Sequence, residues 1–227
     1  MLRQVAKRLS RRGPGITHAQ VKDYWSSSDS EKVCRSLGLV DGPQVRADGH
    51  FVREFLGPLF AGKKVLDLGA GPGRFVPIWR EFGVDLACLD WSDTFFEHLS
   101  ARCAEAGARA FNLDITASKL DETFDLIFST QLLLHIQPEH LDAALANIRS
   151  MMRGKVCVFT SAHAHGAGAD RTTGEKISGY SHDYAVRFAK AGLRIDWQAD
   201  VMIFKHAATF DRPPKFVPNK LYYLSAA

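Results

Sequence analysis

The chain has 227 residues, of which 46% are hydrophobic and 24% charged; this globular composition excludes a disordered or collagen-like chain. One domain of the larger α/β kind fits this length, since two independent cores would each be small. The formal net charge is +4, but residues 1–15 hold five basic side chains and no acidic one, and the rest has one more acidic than basic residue. A nearly neutral body gives no electrostatic footprint for DNA or RNA, so we expect no nucleic-acid partner.

The chain begins with the basic segment of residues 1–15, which we expect to be flexible because its apolar face is short. The alternatives are a membrane-surface helix and an organelle-targeting peptide. No apolar stretch approaches the length of a membrane span, and no signal-peptide core precedes a small-residue cleavage site, so we expect a cytoplasmic protein. The cysteines lack metal-ligand spacing and predict reduced thiols and no metal site; they are Cys34, Cys88, Cys103 and Cys157.

Residues 16–60 precede the main pattern and are interpreted as N-terminal helical additions. They include a segment with Tyr24 and Trp25 and a short helix predicted over residues 50–56. The main domain is expected to span residues 61–227.

From residue 64 onward, short apolar runs alternate with amphipathic stretches, which is typical of βαβ units. The apolar runs are bounded by polar or turn residues and predict buried parallel strands over Lys64–Ala70, Asp85–Trp91, Ala108–Asp114, Phe124–Thr130 and Lys155–Thr160. The intervening stretches predict helices over Arg74–Phe82, Thr94–Ala106 and Glu139–Met152. Ser92 and Asp93 are suitable caps for the second helix, and Pro138 suits the start of the third.

After Thr160 a long Gly/His/Ala/Thr loop leads to a helix predicted over residues 181–191. Two strand-like stretches follow over residues 193–204 and 220–226, separated by a proline-bearing excursion over Asp211–Asn219. They predict an antiparallel pair at the sheet edge. The expected fold is therefore a doubly wound, mostly parallel α/β sheet of seven strands with an antiparallel closing strand.

The most informative stretch is VLDLGAGPGRF over Val65–Phe75, where a strand runs into Gly69, Gly71 and Gly73 and then into a helix. Such glycines allow a sharp turn and close approach of a ligand, and a helix N-terminus offers free N–H groups to an anionic group. Asp90 ends the next strand, at the spacing from which an acid reaches ribose hydroxyls. The pattern predicts a nucleotide-like ligand.

Two ligand classes compete at this loop, a dinucleotide and S-adenosylmethionine. The dinucleotide fingerprint G-x-G-x-x-G fails, because Arg74 stands where its third glycine is required. Asp67 would repel a pyrophosphate but can accept hydrogen bonds from a ligand ammonium. The residues therefore favour a zwitterionic ligand.

At these residues the chain resembles the class I S-adenosylmethionine-dependent methyltransferases, whose first motif reads D-x-G-x-G-x-G after a hydrophobic strand. The resemblance implies a Rossmann-like methyltransferase fold and S-adenosyl-L-methionine as cofactor. It assigns Asp67 and the glycine loop to the methionine moiety, Asp90 to the ribose diol, Trp91 to packing on adenine and Asp114 to its exocyclic amine. The full set of cofactor-binding residues that it implies is Asp67, Gly69, Ala70, Gly71, Gly73, Asp90, Trp91, Asp114, Ile115, Thr130 and Gln131.

On the acceptor side, His135 follows the fourth strand and is the candidate general base; its alternative is a packing role on the strand-to-helix connection. The resemblance implies that the N-terminal helix with Tyr24 and Trp25 closes as a lid and contacts substrate, with core packing as the alternative. His163 and His165 follow the fifth strand and are candidates for substrate contact. The alternatives are a base, a metal ligand, for which a convincing third ligand is lacking, and a solvated loop.

We expect methyl transfer to an oxygen or nitrogen of a small molecule, because no nucleic-acid or peptide module is appended to the domain. A second candidate is a protein N-terminal amine methyltransferase, since that family is similar at Tyr24-Trp25, Gly69–Arg74, Gln131 and His135. Its acidic and serine-bearing pattern after the fifth strand is not apparent here. A third candidate is a non-catalytic S-adenosylmethionine-binding subunit. The acceptor molecule and the oligomeric state are not predicted by the sequence.

Overall fold

The computed structural model describes residues 17–27, 47–161, 171–172, 180–206 and 215–227. The strands within these residues are numbered in chain order. They are β1 Lys64–Leu68, β2 Asp85–Asp90, β3 Arg109–Asn112, β4 Phe124–Thr130, β5 Met152–Ser161, β6 Arg171–Thr172, β7 Tyr180–Ser181, β8 Leu193–His206 and β9 Lys215–Ala226.

Seven of these strands form one sheet in the order β3-β2-β1-β4-β5-β9-β8. The first five in this order pair in parallel, and β9 pairs antiparallel with both β5 and β8. The mostly parallel sheet of seven strands with an antiparallel closing strand is thus confirmed. The strand order reverses at β1 and β4, and in such sheets the crevice outside the carboxyl ends of these strands holds the ligand.

The helices of the described residues precede or connect these strands and are also numbered in chain order. They are α1 His18–Trp25, α2 Ala47–Phe51, α3 Gly57–Phe60, α4 Val76–Glu81, α5 Asp93–Ala106, α6 Pro138–Met151 and α7 Tyr184–Lys190. A π-helical turn over Val52–Leu56 joins α2 to α3, and a 3₁₀ turn over Leu133–His135 precedes α6. The predicted cap is present at α5, where the Ser92 hydroxyl accepts from the backbone N–H of Phe95, and Pro138 is the first residue of α6.

Side chains pack on both faces of the sheet, as the continuous apolar runs of parallel strands require. On one face Leu66 and Leu68 of β1 pack with the buried side of α6 and with α7. On the other face Val65 packs with α4, α5 and the segment from Val52 to Phe60. Neighbouring residues of β1 therefore stabilise opposite layers, and residues 52–60 share a core with the sheet.

Several element boundaries differ from those expected, and three of them change where a feature of the domain lies. The helix after the glycine loop begins at Val76 rather than Arg74, because the chain is still turning at Gly73, where φ is +83°. Strand β3 ends at Asn112, so Asp114 begins a turn instead of ending a strand. Strand β9 begins at Lys215 and includes Pro218, since the β8–β9 pairing continues beyond the part that contacts β5.

The predicted reduced thiols are present where the structure describes them. Cys88, Cys103 and Cys157 are free and buried, and Cys34 lies outside the described residues. Among the described helices, none is both long enough and apolar enough to cross a bilayer.

Candidate functional site

The glycine loop joins β1 to α4 through three residues with positive φ, Gly69, Gly71 and Gly73. A Cβ at Gly69 would lie 2.9 Å from the Cβ of Leu132, so this glycine allows the loop to approach the turn after β4. A Cβ at Gly71 would meet no atom within 4 Å. The loop is therefore packed against the protein at Gly69 and faces open space at Gly71, where a ligand can approach the backbone.

The backbone N–H groups of this loop are bonded within the protein. Those of Gly69 and Ala70 donate to the Leu89 carbonyl at 2.8 and 3.0 Å, and that of Gly73 donates to the Ala70 carbonyl. The N–H of Gly71 donates to Oδ2 of Asp90 at 2.8 Å. Free N–H groups for an anionic ligand are thus not found at these four residues. Instead, their hydrogen bonds hold the loop in one shape.

Asp67 lies on β1 at the base of the loop and is completely buried. It stands between Cys88 of β2 and Phe128 of β4 in the sheet register. The pKa of the Cys88 thiol is raised by its hydrogen bond with Cys103, by burial and by the charge of Asp67. A carboxylate in such a place is costly unless a cationic or hydrogen-bonding group offsets its charge, which suits it to a ligand ammonium.

Asp90 ends β2 and is 7% exposed. Its Oδ2 accepts from Gly71, and its Oδ1 accepts from the backbone N–H of Ser92 at 2.9 Å. Burial raises the pKa of Asp90 to about 6, although these backbone hydrogen bonds lower it. The acid is therefore ionised at neutral pH, and it fixes the loop while retaining lone pairs for ligand hydroxyls.

The raised pKa of Asp90 predicts that cofactor affinity depends on pH. If the ionised acid accepts from the ribose diol, S-adenosylhomocysteine should bind about tenfold more weakly at pH 5 than at pH 7. Calorimetric titration between pH 5 and 7.5 measures this effect, and Asp90→Asn should bind weakly with a flat profile in that range. A flat profile in the unchanged protein would contradict the role given to Asp90.

The same pKa predicts the sign of a stability effect. The folded-state pKa lies above the ordinary value of 3.8, so the folded protein binds the proton more tightly than the unfolded chain. The stabilisation from this proton is complete below about pH 4 and is lost as the pH rises through about 6. Cofactor binding and fold stability therefore change in opposite directions with pH at this residue.

Asp114 lies just beyond β3, and its carboxylate is engaged by a residue of α1. Oδ2 lies 2.7 Å from Nε2 of His18, and Oδ1 accepts from the backbone N–H and hydroxyl of Thr116. Burial raises the pKa of Asp114, but the bonds from His18 and Thr116 outweigh it and hold the pKa below the ordinary value. An adenine amine would share this carboxylate with His18.

The neighbouring residues assigned to adenine differ in exposure. Trp91 is half-buried, with its ring centroid 5.0 Å from that of His18, which also lies 4.5 Å from the ring of His140. Ile115 is 5% exposed and packs in the core. His18 was missed in the sequence, because a residue 96 positions from Asp114 gives no local signal of contact. Thr116 was also missed, although a hydroxyl residue two positions after an aspartate is a local turn signal.

Helix α1 is fixed across the carboxyl edge of the sheet by the first residues of α5. The Ser92 hydroxyl donates to the Trp25 carbonyl at 2.7 Å, and the Thr94 hydroxyl donates to the Ser26 carbonyl at 2.6 Å. Ser92 thus caps α5 and holds α1 with the same hydroxyl group. The helix that carries Tyr24 and Trp25 lies close to the site, as a lid would.

His135 is half-buried in the 3₁₀ turn after β4, and Trp25 covers it. The two rings meet edge-on, with centroids 4.6 Å apart. Trp25 is held in turn by Tyr24 at 5.2 Å and Phe95 at 6.3 Å between ring centroids. The described residues include two groups that were predicted on the acceptor side, the helix with Trp25 and the candidate base His135. These two groups are in contact.

The end of β4 contains two further assigned residues. Thr130 is its last residue, and Gln131 has a φ of +58°. The Gln131 side chain donates through Nε2 to Oδ1 of Asn219 at 2.6 Å, and Asn219 is 1% exposed. This contact joins the turn to β9, and no sequence pattern predicted it. His163 and His165 lie outside the described residues.

A contact test of the lid follows from the His18–Asp114 pair. Replacing His18 by alanine should speed hydrogen exchange over residues 17–27 and weaken S-adenosylhomocysteine binding about threefold to tenfold, because one charge-assisted hydrogen bond and a ring contact are lost. The exposed Asp23 on the same helix supplies the control, Asp23→Ala. Exchange and affinity equal to those of the control would remove His18 from the lid.

The chain is similar in sequence to known methyltransferases. Residues 65–155 match a family described as "Methyltransferase domain". Phosphoethanolamine N-methyltransferase 1 of Caenorhabditis elegans is 26% identical over 174 residues, which are 75% of this chain and 36% of that protein. Its namesake from Triticum aestivum is 24% identical over 140 residues, which are 56% of this chain and 27% of that protein. The chain thus spans between about a quarter and about a third of the length of these relatives.

The fold also matches solved structures. The 1,6-didemethyltoxoflavin-N1-methyltransferase of Burkholderia thailandensis, solved with 1,6-didemethyltoxoflavin and S-adenosylhomocysteine, superposes with a TM-score of 0.66 at 17% identity. The match covers 94% of this chain and 92% of that one. At this identity the likeness concerns the fold.

Proposed function

We propose that this chain, whose domain belongs to the class I S-adenosylmethionine-dependent methyltransferases, transfers a methyl group to an oxygen or nitrogen of a small-molecule acceptor. The observation that carries the proposal is the placement of three groups on adjacent strands of the sheet or directly after them. Asp67 lies on β1, Asp90 ends β2 and His135 follows β4, and α1 contacts the residues that follow β2 and β4. Such a set can bind a zwitterionic nucleoside and handle a proton beside it.

The residues fit this cofactor. The wholly buried carboxylate of Asp67 suits the ammonium of the methionine moiety, and Asp90 suits the ribose hydroxyls. Gly71 leaves open space next to Asp90, so the ligand can approach the backbone there. Trp91 and His18 offer ring surfaces for adenine.

When bound, S-adenosylmethionine supplies a methyl group activated by its sulfonium sulfur. The protein then has to hold the acceptor in line behind the methyl group and exclude water. We assign the acceptor's proton to His135, which removes it from a protonated amine before attack or from a hydroxyl during attack. Trp25 covers the imidazole and keeps water from that side of the ring.

A nitrogen acceptor has the stronger support among small molecules. The curated relatives described above are named as phosphoethanolamine N-methyltransferases. A protonated amine has to lose a proton before it can attack, which gives His135 a function. We therefore propose that a small primary or secondary amine is the first acceptor class to test.

The first experiment is a calorimetric titration of the protein with S-adenosylmethionine, S-adenosylhomocysteine and NAD. Binding of the first two without NAD supports the proposal, and binding of NAD or of none of the three rejects it. Turnover is then measured with labelled S-adenosylmethionine and three acceptor sets: small amines including phosphoethanolamine, small alcohols and phenols, and peptides with a free N-terminus.

The acceptor sets separate the alternatives. Methylation confined to the peptide set would replace the small-molecule proposal with protein N-terminal amine methylation. Binding of cofactor with no turnover in any set would support a non-catalytic S-adenosylmethionine-binding subunit. Methylation of an amine or hydroxyl small molecule is the expected result.

A further inference from the structure

His182 is a buried histidine outside the set assigned to cofactor or substrate. It lies between β7 and α7 and is 7% exposed. Its Nε2 lies 3.2 Å from the carbonyl oxygen of Leu133 and 3.0 Å from that of Ile136. Because carbonyl oxygens only accept hydrogen bonds, Nε2 carries the hydrogen and donates to both.

These two carbonyls lie on either side of His135. The turn that they belong to has few bonds of its own: the N–H of His135 donates to Leu132 at 2.8 Å, and that of Ile136 donates to Leu133 at 3.2 Å. The imidazole of His182 therefore fastens both ends of the short turn that presents the candidate base.

The ring of His182 is itself held by aromatic neighbours. Tyr180 stacks on it at 6.1 Å between centroids, and Tyr184 meets it edge-on at 5.5 Å. The Tyr184 hydroxyl lies 2.9 Å from that of Thr160 at the end of β5, and the Tyr180 side chain bonds to Gln137 at the start of α6. Residues 180–184 thus contact β5, the His135 turn and the residue that precedes α6.

We propose that His182 is a positioning residue for methyl transfer, which holds His135 at a fixed distance from the acceptor by donating its Nε2 hydrogen to the carbonyls of Leu133 and Ile136. The proposal rests on the proposed function, because it assumes that His135 takes the proton. His182 itself touches neither cofactor nor acceptor. Its contribution is to the geometry of the turn, where a displacement of about 1 Å can cost 100-fold in rate.

The test compares His182→Leu, which removes the donor, with His182→Gln, whose amide can still donate to a carbonyl. His182→Leu should lower kcat about 10-fold to 100-fold, with the Kd for S-adenosylhomocysteine and the KM for the acceptor within about threefold of their original values. His182→Gln should recover most of the lost kcat. His50→Ala, at an exposed histidine of α2, is the control and should keep full activity.

Equal kcat in His182→Leu and the unchanged protein would overturn the proposal. The proposal would also be overturned if His182→Leu lowered cofactor affinity and thermal stability together with kcat and His182→Gln recovered none of them. That result is expected of a residue with a purely structural role.

A spectroscopic measurement tests the proposal without an acceptor. Its first part uses only the unchanged protein and therefore does not require His182→Leu to fold. In the unchanged protein with ¹⁵N-labelled histidine, His182 should show the tautomer protonated at Nε2, and the opposite tautomer would overturn the proposal. The imidazole signal of His135 should shift or broaden in His182→Leu and recover in His182→Gln. If the unchanged protein methylates no acceptor, the proposed function fails while these signals still decide the role of His182.

Discussion

Replacing Asp67 by alanine is expected to abolish S-adenosylmethionine binding, and Asp67→Asn to weaken it about 100-fold. The carboxylate is completely buried at the base of the glycine loop, so its bond to a ligand ammonium forms away from water and is strong. Asparagine keeps the shape of the side chain and removes its charge, which isolates the electrostatic part of the effect. Calorimetric titration with S-adenosylmethionine and S-adenosylhomocysteine measures both variants.

The same substitutions should leave the ligand-free protein folded. Asparagine matches the shape of the buried aspartate, so Asp67→Asn should unfold within a few degrees of the unchanged protein. Asp121→Asn, at an exposed acid before β4, provides a control with the same change of charge. Undiminished affinity in Asp67→Ala would remove Asp67 from the ligand site, whereas a markedly lower unfolding temperature in Asp67→Asn would give it a structural role.

Replacing His135 by alanine is expected to lower kcat about 100-fold to 10,000-fold while the affinity for S-adenosylhomocysteine stays unchanged, because a positioned base contributes that much to proton transfer. The structure places the imidazole in the turn after β4, in edge-on contact with Trp25. His135→Asn is the companion variant, since it keeps a polar group in contact with Trp25 and lacks a basic nitrogen of similar pKa.

A pH profile separates catalysis from packing at His135. For an amine acceptor, the deficit of His135→Ala should shrink as the pH approaches the acceptor's own pKa, since more of the amine is then already unprotonated. His98→Ala on α5 serves as the histidine control. A constant deficit at every pH, or kcat equal to that of the control, would return His135 to a packing role on the turn.

The sheet was predictable because its signals are local. Each parallel strand is a short apolar run, and the side chains of β1 are buried on both faces as such runs require. Ser92 and Pro138 marked the starts of α5 and α6 for equally local reasons. The glycine loop with Asp67 pointed to a zwitterionic ligand through the chemistry of single residues.

Contacts between distant parts of the chain were not predictable. His18 reaches Asp114 across 96 residues, and Gln131 reaches Asn219 across 88. In the structure a capping box of Thr17 and Gln20 begins α1, but no sequence pattern says which surface that helix covers. His182 gives no signal at all, because its partners are backbone carbonyls, which every residue has.

Gln131 has a left-handed backbone and connects the turn that bears His135 to β9. Such a backbone costs a non-glycine residue about 1 kcal/mol or more and persists where neighbours hold it. Its side-chain partner is Asn219, on the strand that enters the sheet last in chain order. The turn bearing His135 can therefore acquire this side-chain hydrogen bond only after the chain has been synthesised as far as Asn219, 88 positions beyond Gln131, and β9 has paired with β5.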